Sequence, residues 1–191
     1  MESNSCKCIT IVTSGKEIQN FLKTNTDKLP SCVDKIELPN KEIALTEESV
    51  NEQFYHWLEY IVTHYHDLND YTLFLSANPM KHTRFLSLED LFKVMSYEPS
   101  YFMDVTAWAH ILKCDGDGKP HHTGLPVRSL YERFFPEIKV PYIFEFVYGG
   151  NELMSKRRLQ SRPLDFYKVL LASIENKDLD LNTLERLWHQ I

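Results

Sequence analysis

Between residues 50 and 68, apolar side chains recur every three or four positions: Val50, Phe54, Trp57, Leu58, Ile61, Val62, Tyr65 and Leu68. That period places them along one face of a helix. Thr46, followed by Glu47 and Glu48, is one start signal, and the Ser49-Val50-Asn51-Glu52 box is another. Asn69-Asp70 ends the pattern. Tyr71-Thr72-Leu73-Phe74-Leu75 follows with no polar face, the pattern expected of a central strand buried on both sides. It stops at Ser76-Ala77-Asn78-Pro79, where a proline cannot continue a ladder.

The same contrast of periods runs along the rest of the chain. Cys8–Thr13 is apolar and β-branched, predicts a first strand, and gives way to Ser14-Gly15 and a short helix over Glu17–Leu22. Val33–Leu38 predicts a second strand. Leu86–Met95 has helical spacing, with Ser87 as its cap and Asp90 three residues on. Residues 97–126 are rich in turn signals, although Val105–Lys113 has the composition of a regular element of either kind. A helix over Arg128–Phe135, a strand over Tyr142–Tyr148 and a helix-like stretch over Leu153–Leu159 follow. Two more helices are expected over Leu164–Ile174 and Leu181–Ile191, the first with Pro163 at its start. Strands alternating with helices predict a single α/β domain, residues 1–191, with a mainly parallel sheet flanked by helices.

Composition narrows the function classes. The chain has 191 residues, of which 43% are hydrophobic and 13% aromatic, enough for one sizeable core. Its net charge of -6 argues against a nucleic-acid partner, which calls for a basic field. No apolar run is long enough to span a bilayer and no secretory leader opens the chain, so a cytoplasmic location with reduced Cys6, Cys8, Cys32 and Cys114 is expected.

Three constellations could carry chemistry. His64, His66, Asp67, Asp70, His82, Asp115, Asp117, His121 and His122 are metal-ligand types, the basis for a metal-dependent hydrolase. Yet His64 and His66 are two apart and diverge on a helix, and Asp115-Gly116-Asp117-Gly118 lacks the rest of a calcium loop. Gly149-Gly150-Asn151-Glu152 stands between a buried strand and an expected helix. There the Glu152 carboxylate would lie near a helix N-terminus, on the rim that carries Ser76 and Asn78. A carboxylate so placed could take a proton from a hydroxyl, or could simply favour the helix dipole. Lys156-Arg157-Arg158 with Arg162 could neutralise phosphates or form a solvated face.

Four phrases carry a resemblance: FLSANPMKH, DGDGKPHH, YGGNELMSKRRLQSRPLDFYKVLL and LERLWHQI. In order and spacing, over residues 44–191, they resemble a largely uncharacterised family of viral, bacterial and fungal proteins grouped with the glycosyltransferases. That family has FLxGDPxxH, SRPxxFY and ERLW motifs. The resemblance implies a GT-A fold and transfer of a sugar from a nucleotide sugar, with a UDP-sugar as the expected donor, to a glycan or glycoprotein hydroxyl. It further implies Glu152 as the catalytic base, Thr13, Ser14, Ser76 and Asn78 on the donor, and Gly150 and Asn151 on the acceptor. GT-A enzymes hold Mn²⁺ or Mg²⁺ through a D-x-D motif at the end of a central strand. Here that place reads Ser76-Ala77-Asn78, and Asn78 is a weaker ligand for a hard cation than a carboxylate. The departure leaves room for a non-catalytic carbohydrate- or protein-binding module on the same fold.

Overall fold

The computed structural model describes residues 9–13, 16–25, 29, 33–37, 52–77, 79–81, 87, 89–91, 93, 102–104, 109–113, 124–141, 143–147 and 151–191. Within them the chain is α/β. Strands β1 (Ile9–Thr13), β2 (Val33–Glu37), β3 (Tyr71–Leu75), β4 (Phe102–Asp104) and β7 (Glu152–Ser155) form one sheet in the order β2-β1-β3-β7-β4. Strands β5 (Ala109–Lys113) and β6 (Ile143–Val147) pair antiparallel in a second, two-stranded sheet. The helices are α1 (Lys16–Thr24), α2 (Glu52–His64), α3 (Val127–Phe134), α4 (Lys156–Leu159), α5 (Leu164–Glu175) and α6 (Leu181–Leu187). Short 3-10 turns occupy Pro79–Lys81 and Trp188–Gln190.

Strand β3 is central, as its apolar pattern predicts, and all five of its residues are buried. Alternation along it sends Tyr71, Leu73 and Leu75 to one face with Ile9, Ile11, Ile18 and Leu22. Phe74 goes to the other face with Val12 of β1 and Met154 of β7, under α2, α5 and α6. Helices on both faces therefore explain why this strand has no polar side. On the larger face Trp57, Phe54, Phe74 and Trp188 interlock, with Trp57 and Trp188 centroids 5.3 Å apart and Phe54 4.9 Å from Trp57. Burying four such rings contributes a large apolar area to this core.

Two expectations need correction. The sheet is mixed rather than mainly parallel: β2, β1 and β3 pair parallel, but β7 runs antiparallel to both β3 and β4. The expected helix over Leu153–Leu159 is half strand, because Glu152–Ser155 is β7 and only Lys156–Leu159 is helical. The physical reason is tertiary. Glu152–Ser155 lies between β3 and β4 and satisfies backbone groups on both, which outweighs the modest helix preference of Leu and Met. Ser155 then caps α4 by accepting from the Arg158 amide at 3.1 Å.

Other expectations hold with shifted ends. Helix α2 starts at Glu52, and residues 46–51 lie outside the described set. Ser87 accepts from the Asp90 amide at 3.1 Å, the cap expected there, and Leu91 is buried. The element of undetermined kind over Val105–Lys113 contains strand β5. All four cysteines lie outside the described residues.

Candidate functional site at the carboxyl rim of the sheet

The three parallel strands end together. Thr13 of β1 pairs with Leu75 of β3, and Phe74 of β3 pairs with Glu152, the first residue of β7. Because β7 is reversed, its beginning meets the ends of its neighbours β3 and β4, beside the end of β1. That brings Thr13, Ser76, Asn151 and Glu152 to one rim, although Glu152 opens a strand instead of a helix. Open α/β sheets bind ligands outside the carboxyl ends of their strands, so this rim is the place to look.

One hydrogen bond draws the rim together. The Ser76 amide donates to Asn151 Oδ1 at 2.7 Å. The bond continues the β3–β7 contact one step past the last backbone pair and fixes the direction of the Asn151 amide. Both residues are buried, Ser76 at 4% and Asn151 at 0% exposure. Ser76 Oγ and Asn151 Nδ2 have no hydrogen-bond partner among the described residues. Leaving a buried donor unmatched costs about 1–3 kcal/mol, so such groups call for an explanation.

Thr13 and Glu152 are buried at 1% and 0% exposure. Alternation along β7 puts Glu152 on the face of Met154, over the core of α2 and α6, while Leu153 faces the α1 side. Its carboxylate is thus enclosed at the edge of the larger core. Ser14, Asn78 and Gly150, expected on the donor, metal and acceptor, lie outside the described residues.

A hard cation needs several oxygen ligands, carboxylates foremost; at this rim Glu152 opens β7, and Asp104, the last residue of β4, is its register partner. Among the described residues, no three His, Cys, Asp or Glu side chains group as a metal site. Of the histidine–carboxylate constellation, His64 Nδ1 lies 3.3 Å from Asp67 Oδ2 at the end of α2. His66 and Asp67 are exposed, and His82, Asp115, Asp117, His121 and His122 lie outside the described residues.

The conspicuous C-terminal motifs turn out to be a clamp. The Tyr65 hydroxyl donates to the Arg162 carbonyl at 2.6 Å, and Gln160 Nε2 returns a bond to the Tyr65 carbonyl at 2.8 Å. The buried Tyr167 hydroxyl donates to the Leu159 carbonyl at 2.7 Å, and burial raises its pKa. Arg162 meets Glu137 at 2.5 Å and lies over the rings of Phe135 and Phe166, 4.9 and 5.4 Å from their centroids. Phe166 and Tyr167 thus fasten α5 to the ends of α2 and α3. Trp188 of the last motif fills the aromatic core, and Arg186 is buried against Glu185 and over the Phe146 ring.

Sequence reasoning missed Asn151 as the residue that ties the rim. The available signal was its position between a glycine pair and an apolar run, where a side-chain amide can substitute for a missing backbone partner. Comparison with protein-family models, curated proteins and solved structures finds no match for this chain. No described helix is long and apolar enough to cross a membrane.

Proposed function

We propose that the carboxyl rim binds a nucleotide sugar and that the chain transfers its sugar to a hydroxyl acceptor. The observation that carries this reading is the bond from the Ser76 amide to Asn151 Oδ1, which fixes the buried Asn151 side chain next to the buried Ser76 beside the ends of the parallel strands. A bound ligand would supply the partners that Ser76 Oγ and Asn151 Nδ2 lack among the described residues. In the proposed reaction Thr13, Ser76 and the flanking Ser14 and Asn78 hold the donor. Gly150 and Asn151 shape the acceptor side. Glu152 accepts the acceptor's proton or orients its hydroxyl. A UDP-sugar donor and a glycan acceptor are the proposed pair.

The burial of Glu152 favours a second reading. A carboxylate at 0% exposure must be reached by its substrate, and one that only braces the rim would leave a carbohydrate-binding module without turnover. A thermal-shift panel of nucleotides and nucleotide sugars, with and without Mn²⁺, tests the shared premise. Stabilisation by UDP-sugars supports both readings, and release of UDP over time supports the transferase alone. A flat panel overturns both.

A further inference from the structure

At the end of β3 and β7 opposite the rim, the surface opens into a cleft of about 910 Å³. That volume lies within the range of about 300–1,000 Å³ usual for small-molecule sites. One wall is the entry to β3, at Asp70 and Tyr71. The other is the exit of β7 and the turn after it, at Ser155, Lys156, Gln160 and Ser161. Tyr71 and Ser155 are register partners, and the Lys156 amide donates to the Asp70 carbonyl at 2.8 Å, so the backbone ties the two walls together. Arg157 borders the same cleft but has a partner of its own, and the site does not depend on it.

Two opposite charges line this cleft without meeting. Asp70 and Lys156 touch through their backbones, yet neither side chain forms an ion pair among the described residues. The remaining groups extend each charge. Gln160 turns its NH₂ group to the Tyr65 carbonyl, which leaves its oxygen as an acceptor. Ser161 Oγ donates to the Arg158 carbonyl and keeps its lone pairs. With the exposed Asp70 carboxylate these make three acceptor groups, the number that the three N–H bonds of an ammonium require. Ser155 Oγ accepts from the Arg158 amide, which directs its own hydroxyl hydrogen elsewhere, so Ser155 and Lys156 are the donors. A bare anion would use Lys156 and be repelled by Asp70, and a bare cation would meet the reverse. A zwitterion satisfies both, because each of its charges meets the opposite one.

We infer that this cleft binds a free α-amino acid, with its ammonium on Asp70, Gln160 and Ser161 and its carboxylate on Lys156 and Ser155. The site is separate from the donor rim and does not rest on that reading. Backbone ¹⁵N–¹H NMR of the full chain, titrated singly with each of the common amino acids, provides the test. At least one of them should move the resonances of residues 70–71 and 155–161. Acetylating the amine of the tightest binder, or amidating its carboxylate, should weaken it by about tenfold or more, since each removes one charge-assisted contact. Lys156→Gln should weaken the free amino acid by about as much and leave its amide unaffected. Asp70→Asn should weaken the free amino acid and leave the acetylated form unaffected, with the melting temperature held in both variants. No shifts with any amino acid, blocked forms that bind as tightly as the free one, or unchanged affinity in either variant would overturn the inference. Shifts confined to residues 13, 76, 151 and 152 would also overturn it while leaving the donor rim in place.

Discussion

The carboxyl rim and the C-terminal clamp both bury polar side chains, and they treat them in opposite ways. In the clamp, the hydroxyls of Tyr65 and Tyr167 each reach a backbone carbonyl, and Arg162 has a carboxylate and two aromatic rings. At the rim, Ser76 and Asn151 share one bond, and Ser76 Oγ and Asn151 Nδ2 have no partner among the described residues. Matched polar groups hold three helices together and specify their register. Unmatched ones cost stability where they stand, a cost that makes physical sense at a place where something binds. The contrast separates the residues that draw the eye in the sequence from those that could do chemistry.

The strongest way to break this contrast is at Thr72, which is fully buried in the middle of β3 and also has an unmatched hydroxyl among the described residues. Thr72→Asp should yield no folded protein, since an unpaired buried carboxylate costs several kcal/mol, on the order of the whole stability of a domain. Thr72→Val should keep or raise the melting temperature, because Thr72 is away from the rim and its hydroxyl has no ligand to serve. A folded, soluble Thr72→Asp protein would show that β3 is not enclosed.

Next in size is Trp188, whose ring touches Phe54, Trp57 and Phe74. Trp188→Ala should destabilise the chain by about 3–5 kcal/mol in denaturant unfolding. A loss below about 1 kcal/mol would mean that the terminal turn is dispensable and the aromatic core closes without it.

The clamp motif comes third. Tyr167→Phe keeps the ring and removes the bond to Leu159, so a loss of about 1 kcal/mol is expected. Phe166→Ala should lower the melting temperature while UDP-sugar affinity stays within about twofold, a difference of about 0.4 kcal/mol. If affinity falls and the melting temperature holds, the motif belongs to the site and the comparison above fails.

The smallest effect is electrostatic. His189 is largely enclosed beside Arg158, and Gln190 Nε2 lies 2.6 Å from its Nε2. Burial, and then the Arg158 charge, pulls its pKa down to about 4. An unfolded histidine titrates near 6.5, so between about pH 6.5 and 4 the unfolded chain binds a proton that the folded chain does not. Stability therefore falls as pH drops through that window and levels off below it. The melting temperature of His189→Gln should fall less steeply than that of the natural chain between pH 7 and 4. Parallel curves would show that the ring is hydrated in the folded state.

What the sequence made legible follows its local periods. Strand β3, helix α2 and the Ser87 cap were readable because each is written in adjacent residues. The burial of β3 on both faces was readable because Tyr71-Thr72-Leu73-Phe74-Leu75 has no polar side. Strand β7 was not readable, since Glu152–Ser155 becomes a strand through pairing with segments about 80 and 50 residues away, and no local preference records that. The same reversal explains the site. Glu152 was expected on this rim at the start of a helix and instead opens a strand. Asn151 was expected on the acceptor, and its other task, accepting the Ser76 amide, exists only once the two strands meet. The partners of Phe166 and Tyr167 were hidden for the same cause: helix spacing shows that a face is apolar but not which element it meets.

The central claim, that the rim binds a nucleotide sugar and does chemistry on it, is tested most directly by following UDP release from a UDP-sugar in the natural chain and in Glu152→Gln. The substitution keeps size and hydrogen-bonding reach and removes proton acceptance. UDP release, with water or an added glycan as acceptor, should fall by about a hundredfold or more, the scale for losing a general base. Donor affinity and melting temperature should stay close to those of the natural chain. Unchanged release by Glu152→Gln, or a natural chain that binds UDP-sugars and never releases UDP, would contradict the account.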